Sequence, residues 1–143
     1  MSIKDKIKNI TPEMIEWRHT IHERPEIAYQ EENTSLFISN KLKEFDIEVH
    51  QGIGKTGIVG VIHGKENNGP QKSIGIRADI DALPMTEKTN LPYASKNEGS
   101  MHACGHDGHT TMLLGAAKYL SETRNFHGTV YCIFQPAEEG GNA

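Results

Sequence analysis

The sequence is poor in cysteine and in long apolar runs. Its 143 residues contain only two cysteines, and one of them, Cys104, lies among histidines, which argues against a disulfide scaffold. No apolar run approaches the roughly 20 residues that a membrane span needs. The first residues lack the continuous apolar core of a signal peptide. We therefore expect a protein without membrane contact, located in the reducing cytoplasm.

A strong charge of one sign is also missing. Lysine and arginine number 15 against 19 acidic residues, which gives a net charge of −4, and the lysines are scattered. Proteins that bind nucleic acid usually carry a basic stripe, often with interleaved aromatic side chains. We therefore predict no nucleic-acid partner. A hydrophobic content of 36% is ordinary for a globular protein, and the length suits about one domain with a real core.

Apolar residues with helical spacing occur in three segments. The first follows a Thr11-Pro12 start and ends before Pro25, because a residue that precedes proline disfavours the helical conformation. The second spans about 31–45, and the third ends at about Arg124. These patterns predict three helices.

Segments rich in β-branched residues and bounded by glycines predict strands. We predict a short extended piece at 47–50 and strands at 57–64, 73–79 and 128–134. The polar turn at 65–70 favours a hairpin between the strands on either side of it. The last strand is nearly all apolar, which indicates burial on both faces. The order of strand, loop, helix and buried strand predicts a layered α/β domain.

Metal-ligand side chains are concentrated in residues 101–109. Cys104 and His106 stand two apart before the third predicted helix, and His102 and His109 belong to the same run. A loop that enters a helix can turn both side chains toward one point, and we expect nearby positive charge to lower the pKa of the thiol. Thiolate, imidazole and carboxylate suit Zn²⁺, Mn²⁺ or Co²⁺. The alternative is a buried structural cysteine beside a helix cap.

Two acidic pairs lie at or just after the ends of predicted strands. Glu138 and Glu139 come directly after the last strand and Pro136-Ala137, where adjacent side chains point in different directions. One carboxylate can then bind a metal while the other acts as general base on water. Asp79 and Asp81 share one side of an extended segment and could orient a ligating imidazole. A solvated acidic turn and structural ion pairs are the respective alternatives.

Four segments of the chain carry long motifs in a fixed order: HERPEIA at 22–28, RADIDALPM at 77–85, HACGHDGH at 102–109 and FQPAEEGG at 134–141. Together they resemble the signature motifs of the M20 metallopeptidase family. The resemblance is to its amidohydrolase branch, which includes hippurate hydrolases, N-acyl-L-amino-acid amidohydrolases and auxin-conjugate hydrolases. It extends over essentially the whole chain.

The resemblance implies a zinc-exopeptidase-like α/β catalytic domain and hydrolysis of the amide bond of small N-acyl amino acids. Cys104, His106 and Glu139 would be metal ligands, with the cysteine bridging two ions of Mn, Zn, Co or Ni. Glu138 would be the general base, and Asp81 matches a position near the metal in related branches. Residues 1–143 would form the N-terminal portion of this catalytic domain.

The family pattern also includes two ligating histidines after Glu139, a lid and dimerisation domain, and further parts of the catalytic sheet. Only four residues follow Glu139. We therefore expect an N-terminal fragment of a longer enzyme that could form a homo-oligomer. Alone, the chain should bind metal weakly, show little or no activity, and expose its last strand as an apolar edge.

Two other functions stay open from the residues alone. The chain could be a metal-binding or interaction remnant that lacks catalysis. It could also be a cysteine hydrolase with Cys104 as nucleophile, although that reaction would leave the Glu138-Glu139 pair unused. The remaining histidines lack a partner pattern, and we expect them on the surface or satisfied in the core: His19, His22, His50, His63 and His127.

Overall fold

A computed structural model describes residues 1–65 and 69–140 of the chain. These residues form three helices and four strands, in the order α1 (Ile3–His22), α2 (Glu32–Glu44), β1 (Glu48–Ile53), β2 (Gly57–His63), β3 (Ser73–Asp79), α3 (His106–Thr123) and β4 (Thr129–Gln135). The predicted α/β class is confirmed. Positions 66–68 of the predicted turn at 65–70 and position 141 of the last motif lie outside the described residues.

The strands form one mixed sheet in the order β1-β2-β4-β3. β1 and β4 both pair antiparallel with β2, whereas β3 and β4 pair parallel. The predicted hairpin between 57–64 and 73–79 is therefore wrong. Both edges of β2 are already taken, because a tight turn joins it to β1 and β4 occupies its other side. α3 connects β3 to β4 and thus provides the crossover that a parallel pair of strands requires.

The core lies between the helices and one face of the sheet. Trp17 of α1, Ile38 of α2 and Leu114 of α3 belong to one buried cluster with the inward residues of β4. Successive side chains of β4 alternate between the two faces of the sheet. Val130, Cys132 and Phe134 are buried, whereas Tyr131 and Ile133 are more than a third exposed. In the described part of the chain the helices cover only one face of the sheet. The prediction that this strand is buried on both faces is therefore wrong.

The apolar edge of the sheet belongs to β3. β4 forms hydrogen bonds with a strand on each side, so the predicted exposure of the last strand as an edge is wrong. β3 pairs with β4 alone among the described strands, and it exposes 60% of Ile74 and 36% of Ile76. The sequence order of the strands does not give their order in the sheet.

α1 begins eight residues before the predicted Thr11 start. Ser2 and Asp5 form a capping box, in which the Ser2 hydroxyl accepts from the Asp5 amide. Pro12 consequently lies inside the helix. The Ser-x-x-Asp spacing at residues 2–5 was the available signal for this start. None of the helices in the described part of the chain has the length and apolarity to cross a membrane.

Leu114 tests how much the core depends on the packing of α3 against the sheet. Its side chain is fully buried. We expect Leu114→Ala to lower the free energy of unfolding by about 2–5 kcal/mol, because it leaves a cavity. Met112→Ala on the same helix is the control, since Met112 is 59% exposed, and it should change stability by about 0.5 kcal/mol or less. Equal losses in urea unfolding would contradict this packing.

Candidate metal centre

The candidate centre lies where the two parallel strands end. Asp79 at the end of β3 is the registered neighbour of Gln135 at the end of β4, and the Ile80 amide donates to the Gln135 carbonyl at 3.0 Å. α3 begins at His106 beside them. The carboxyl edge of parallel strands is where α/β sheets commonly place functional side chains. Segments separated by about 60 positions of sequence therefore meet here.

Cys104, His106 and Glu139 each direct one potential ligand atom to a common point. These atoms all lie within 4.8 Å of one another. Gly105 between the first two has φ +110°, a conformation that favours glycine and lets the loop fold back before α3. Glu138 joins the group, because its Oε2 lies 3.6 Å from His106 Nε2, the same separation as Glu139 Oε1 from that nitrogen.

The donor set fits a divalent cation. Glu139 Oε1 is buried and has no hydrogen-bond partner among the described residues. A buried carboxylate oxygen without a partner is energetically costly, and a cation would satisfy it. Sulfur, imidazole nitrogen and carboxylate oxygen together suit a borderline metal ion. The three residues could therefore hold such an ion.

Asp81 orients the ring of His106. The Nδ1 atom of His106 lies 2.9 Å from the Asp81 backbone carbonyl and 3.2 Å from Asp81 Oδ1. Because a carbonyl oxygen only accepts, Nδ1 carries a proton in this contact, and in the tautomer with a single ring proton the lone pair is on Nε2. The second oxygen of Asp81 accepts from the Glu139 amide at 2.9 Å. One buried carboxylate thus fixes two of the three candidate ligands.

Asp79, His106 and His109 form a second set of potential ligand atoms within 4.8 Å of one another. It shares His106 Nε2 with the Cys104 set, and one nitrogen lone pair binds one ion, so both sets cannot be filled together. Asp79 Oδ1 already lies 2.6 Å from His109 Nδ1. The Cys104 set retains an unpartnered oxygen and is therefore the better candidate. His109, one turn after His106 on α3, was a residue for which the sequence predicted no role.

The electrostatic setting of Asp79 favours its ionised form. Burial alone would raise its pKa, but the hydrogen bond from His109 and the charges of His106 and His109 together hold that pKa below its usual value. Arg77 lies 3.6 Å away on the same strand. Asp79 is thus an anion that pairs with its neighbours, and its Oδ2 lies 3.5 Å from His106 Nε2.

The thiol of Cys104 lies in an acidic environment. Cys104 is exposed, and its pKa is raised mainly by its interaction with the Glu139 carboxylate, with smaller contributions from slight desolvation and from the negative charges of Glu138 and Asp79. The predicted lowering of this pKa is therefore wrong for the metal-free chain, because the carboxylates outweigh the histidines. A raised pKa disfavours the thiolate that a cysteine nucleophile needs. It does not disfavour a metal ligand, since a bound cation reverses the balance of charge.

A buried polar network ties α1 to the start of α3. His22 Nδ1 lies 2.8 Å from Asp107 Oδ2, and His22 Nε2 lies 2.9 Å from Glu87 Oε1. Arg18 Nε lies 3.2 Å from the same Asp107 oxygen. His22 is thus a satisfied core histidine, whereas the roles of Asp107 and Glu87 had no signal in the sequence. The network fixes the helix start that carries His106.

His102 does not join either set of potential ligand atoms. Its side chain is buried, and neither ring nitrogen has a hydrogen-bond partner among the described residues. Burial lowers the pKa of His102 to about 4, so the ring is neutral near pH 7. Within residues 101–109, the structure brings potential ligand atoms of Cys104 and His106 together, whereas His102 lies outside both sets.

A mixed sheet flanked by helices, with cysteine, histidine and glutamate gathered at its carboxyl edge, defines an α/β protein with a candidate metal centre. The chain belongs to the family described as peptidase family M20/M25/M40, whose model matches residues 75–143. The predicted relationship to this family is confirmed. The matched residues include all four that meet at the centre.

Individual proteins support the same assignment. The chain is 54% identical to hippurate hydrolase of Campylobacter jejuni over 140 residues, which are 98% of the chain and 36% of that protein. It is 44% identical to thermostable carboxypeptidase 1 of Saccharolobus solfataricus over 99% of the chain and 37% of the relative. The chain thus spans about a third of the length of the curated relatives it matches.

A solved structure agrees in fold. The YXEP protein of Bacillus subtilis, described as a dinuclear metal-binding peptidase from the M20 family, superposes with a TM-score of 0.86 at 47% identity. The match covers 92% of this chain and 37% of that one. The α/β fold of the described residues is therefore that of M20 metallopeptidases.

Alkylation of Cys104 tests its acidic environment. In the metal-free chain we expect the rate of reaction with iodoacetamide to rise with a pH midpoint above the ordinary pKa of a thiol. Glu139→Gln should lower this midpoint, because it removes a negative charge and the carboxylate acceptor. Cys132 will not compete, since burial raises its pKa to about 11. Glu44→Gln on α2 is the control, and a midpoint at or below the ordinary value would contradict the geometry.

The pH dependence of stability tests the His22 network. Burial lowers the pKa of His22, but hydrogen bonds to Glu87 and Asp107 and their charges raise it overall above 6.5. The folded state then binds the proton more tightly than the unfolded state. The resulting stability is fully present below the unfolded pKa and is lost as pH rises through the folded pKa.

The measurement is the difference in free energy of unfolding between the wild-type chain and His22→Gln, taken from urea unfolding across this pH range. We expect the wild-type advantage to shrink as pH rises. His63→Gln, at a residue whose side chain is 61% exposed, is the control. An advantage of His22 that grows with pH would contradict the network.

Proposed function

We propose that the chain is the metal-binding N-terminal portion of the catalytic domain of an amidohydrolase that cleaves N-acyl amino acids. In this proposal Cys104, His106 and Glu139 are metal ligands and Glu138 is the general base. The observation that carries it is the convergence of the three ligand atoms within 4.8 Å, with Glu138 beside them. The proposed complete site holds two ions of Mn, Zn, Co or Ni, and the description of the YXEP protein as dinuclear supports the number of ions.

The names of the relatives suggest the substrate class. Hippurate is an N-acylated amino acid, and a carboxypeptidase removes the last residue of a peptide. In both cases the bond is an amide whose amine side is an amino acid with a free carboxylate. We propose the N-acyl amino acid as the substrate because the identity to hippurate hydrolase is higher. Carboxypeptidase activity is the second candidate.

The proposed chemistry divides between the ion and the side chains. When bound, a divalent cation supplies polarisation of the scissile carbonyl and lowers the pKa of water. Glu138 takes the proton of the attacking water and delivers it to the leaving amine. Its side chain is 39% exposed against 19% for Glu139. Glu138 therefore faces the solvent from which water enters, whereas the buried oxygen of Glu139 faces the ion.

The other residues hold this arrangement. Asp81 keeps the proton of His106 on Nδ1, so that Nε2 is free to bind the ion. Cys104 would bind the ion as a thiolate, which forms only when a cation offsets the negative charge of the surrounding carboxylates. Metal binding would therefore be coupled to loss of the thiol proton. We expect the remaining ligands to come from the part of the relatives' length that this chain does not span.

Several properties remain predictions for the complete protein. We expect cytoplasmic location, no nucleic-acid or membrane partner, and possible assembly as a homo-oligomer. We also expect the 143-residue chain alone to be inactive, because three ligands leave the ion open to water. A non-catalytic metal-binding remnant is the alternative for the chain as it stands, whereas the acidic setting of Cys104 argues against the cysteine hydrolase.

Two substitutions in the complete gene product separate the roles of the glutamates. We expect Glu138→Gln to lower kcat for hippurate by about 10²–10⁴-fold with metal content unchanged, because the proton acceptor is lost. Glu139→Gln should lower metal affinity by about tenfold or more, because it removes a ligand. Metal content by mass spectrometry and hippurate hydrolysis are the measurements, with Glu44→Gln as the control.

Each competing function has its own outcome. Metal binding without turnover of hippurate or of C-terminal peptide bonds would favour the non-catalytic remnant. Inactivation by a thiol alkylator together with indifference to chelators would favour the cysteine hydrolase. Faster hydrolysis of dipeptides than of hippurate would favour the carboxypeptidase.

A further inference from the structure

Glu31 is a fully buried carboxylate that lies outside the two sets of potential metal ligands. Its Oε2 accepts from the Thr56 hydroxyl at 2.6 Å, and its Oε1 accepts from the Ala137 amide at 2.9 Å. Both of these donors are neutral. A buried carboxylate is retained only where hydrogen bonds compensate its loss of hydration. The bond to Ala137 joins the start of α2 to a residue 106 positions later in the chain.

Ala137 has an unusual backbone conformation. Its φ is +57°, in the left-handed region, and its side chain is fully buried. For a residue with a Cβ atom this conformation is unfavourable, so neighbouring contacts must hold it. The hydrogen bond from Ala137 to Glu31 is such a contact. Ala137 directly precedes Glu138 and Glu139.

A second buried carboxylate holds the other side of the same turn. The Glu139 amide donates to Asp81 Oδ2 at 2.9 Å. The backbone is therefore anchored at residue 137 by Glu31 and at residue 139 by Asp81, and Glu138 lies between the two anchors. Any backbone rotation that turns the Ala137 or Glu139 amide away from its acceptor breaks one of these hydrogen bonds.

We propose that Glu31 is a positioning residue for the Glu138-Glu139 pair and acts through the Ala137 amide. By fixing the left-handed conformation of Ala137, Glu31 directs the Glu139 carboxylate toward His106 Nε2 and keeps the Glu138 carboxylate beside the candidate centre. What the two glutamates then do rests on the proposed function. The anchoring itself rests on the contacts of the chain.

The anchoring is tested without a metal by hydrogen exchange in the complete gene product. We expect the Ala137 amide to be protected in the wild-type chain and to exchange at least about tenfold faster in Glu31→Ala, because its acceptor is gone. Glu31→Gln should keep the protection, since the amide oxygen of glutamine accepts equally well. An Ala137 amide that exchanges in the wild-type chain as fast as an exposed amide would overturn the proposal.

The effect of this anchoring on the candidate centre is tested by titrating the complete gene product with Co²⁺, whose charge-transfer absorption with a thiolate reports binding at Cys104. We expect Glu31→Ala to weaken Co²⁺ binding about 10–100-fold, the effect typical of residues that orient metal ligands. Glu31→Gln should bind within about threefold of wild type, because its oxygen accepts from Ala137 and its NH₂ can donate to Thr56.

Glu26→Ala is the matched control. Glu26 accepts from the amides of Asn33 and Thr34 at the start of α2, at 3.0 and 2.7 Å, so its loss destabilises the same helix. It forms no hydrogen bond with residues 136–139 among those described. Glu26→Ala should lower stability and leave Co²⁺ affinity unchanged. An equal loss of affinity in both alanine variants would show that Glu31 acts only through stability, and would overturn the proposal.

The double variant Glu31→Ala/Ala137→Gly tests the conformational step. Glycine adopts a positive φ without the cost that alanine carries, so we expect the double variant to regain part of the lost Co²⁺ affinity. Wild-type affinity in Glu31→Ala would overturn the positioning role. Absence of the thiolate band in the wild-type complete gene product would instead contradict the metal centre, and exchange of the Ala137 amide would still decide the anchoring.

Discussion

The buried carboxylate of Asp81 is the interaction on which the candidate centre depends. One oxygen contacts His106 Nδ1 and the other accepts from the Glu139 amide. These partners lie at the start of α3 and in the turn after β4, while Asp81 itself follows β3. Burial of the charge is compensated only when all three segments meet. The geometry of the ligand atoms is therefore a property of the fold and not of the motif that contains them.

Local features of the fold were predictable because they depend on neighbouring residues. The strand at 73–79 was predicted with its observed bounds, and α2 lies within the predicted 31–45. The order of the strands was not predictable in this way, because the choice between a hairpin and a crossover depends on which distant strand occupies the edge of β2. The start of α1 was missed because Pro12 resembles a first-turn proline, whereas the Ser2–Asp5 capping box is a weaker pattern.

The residues of the candidate site were likewise predictable only where the signal is local in the sequence. Cys104 and His106 stood out because several ligand types are dense in a short run. Glu31 did not, since it is one of 19 acidic residues and its partner lies far along the chain. Asp107 was missed for the same reason, because its importance comes from a contact with His22 on another helix. Sequence patterns thus indicate the residues that could bind an ion, and tertiary contacts indicate those that hold them.

The position of β4 has a consequence for the order in which the chain folds. β4 is the last of the described strands along the chain, yet it lies between β2 and β3 in the sheet. During synthesis the hairpin of β1 and β2 can form early, but β3 lacks its only neighbour among the described strands until residues 129–135 have left the ribosome. Such long-range pairing is slow, and the waiting strands expose unpaired edges that chaperones recognise. A nascent chain that stops before Thr129 has the β1-β2 hairpin and β3 without the strand that joins them, and it lacks Glu138 and Glu139.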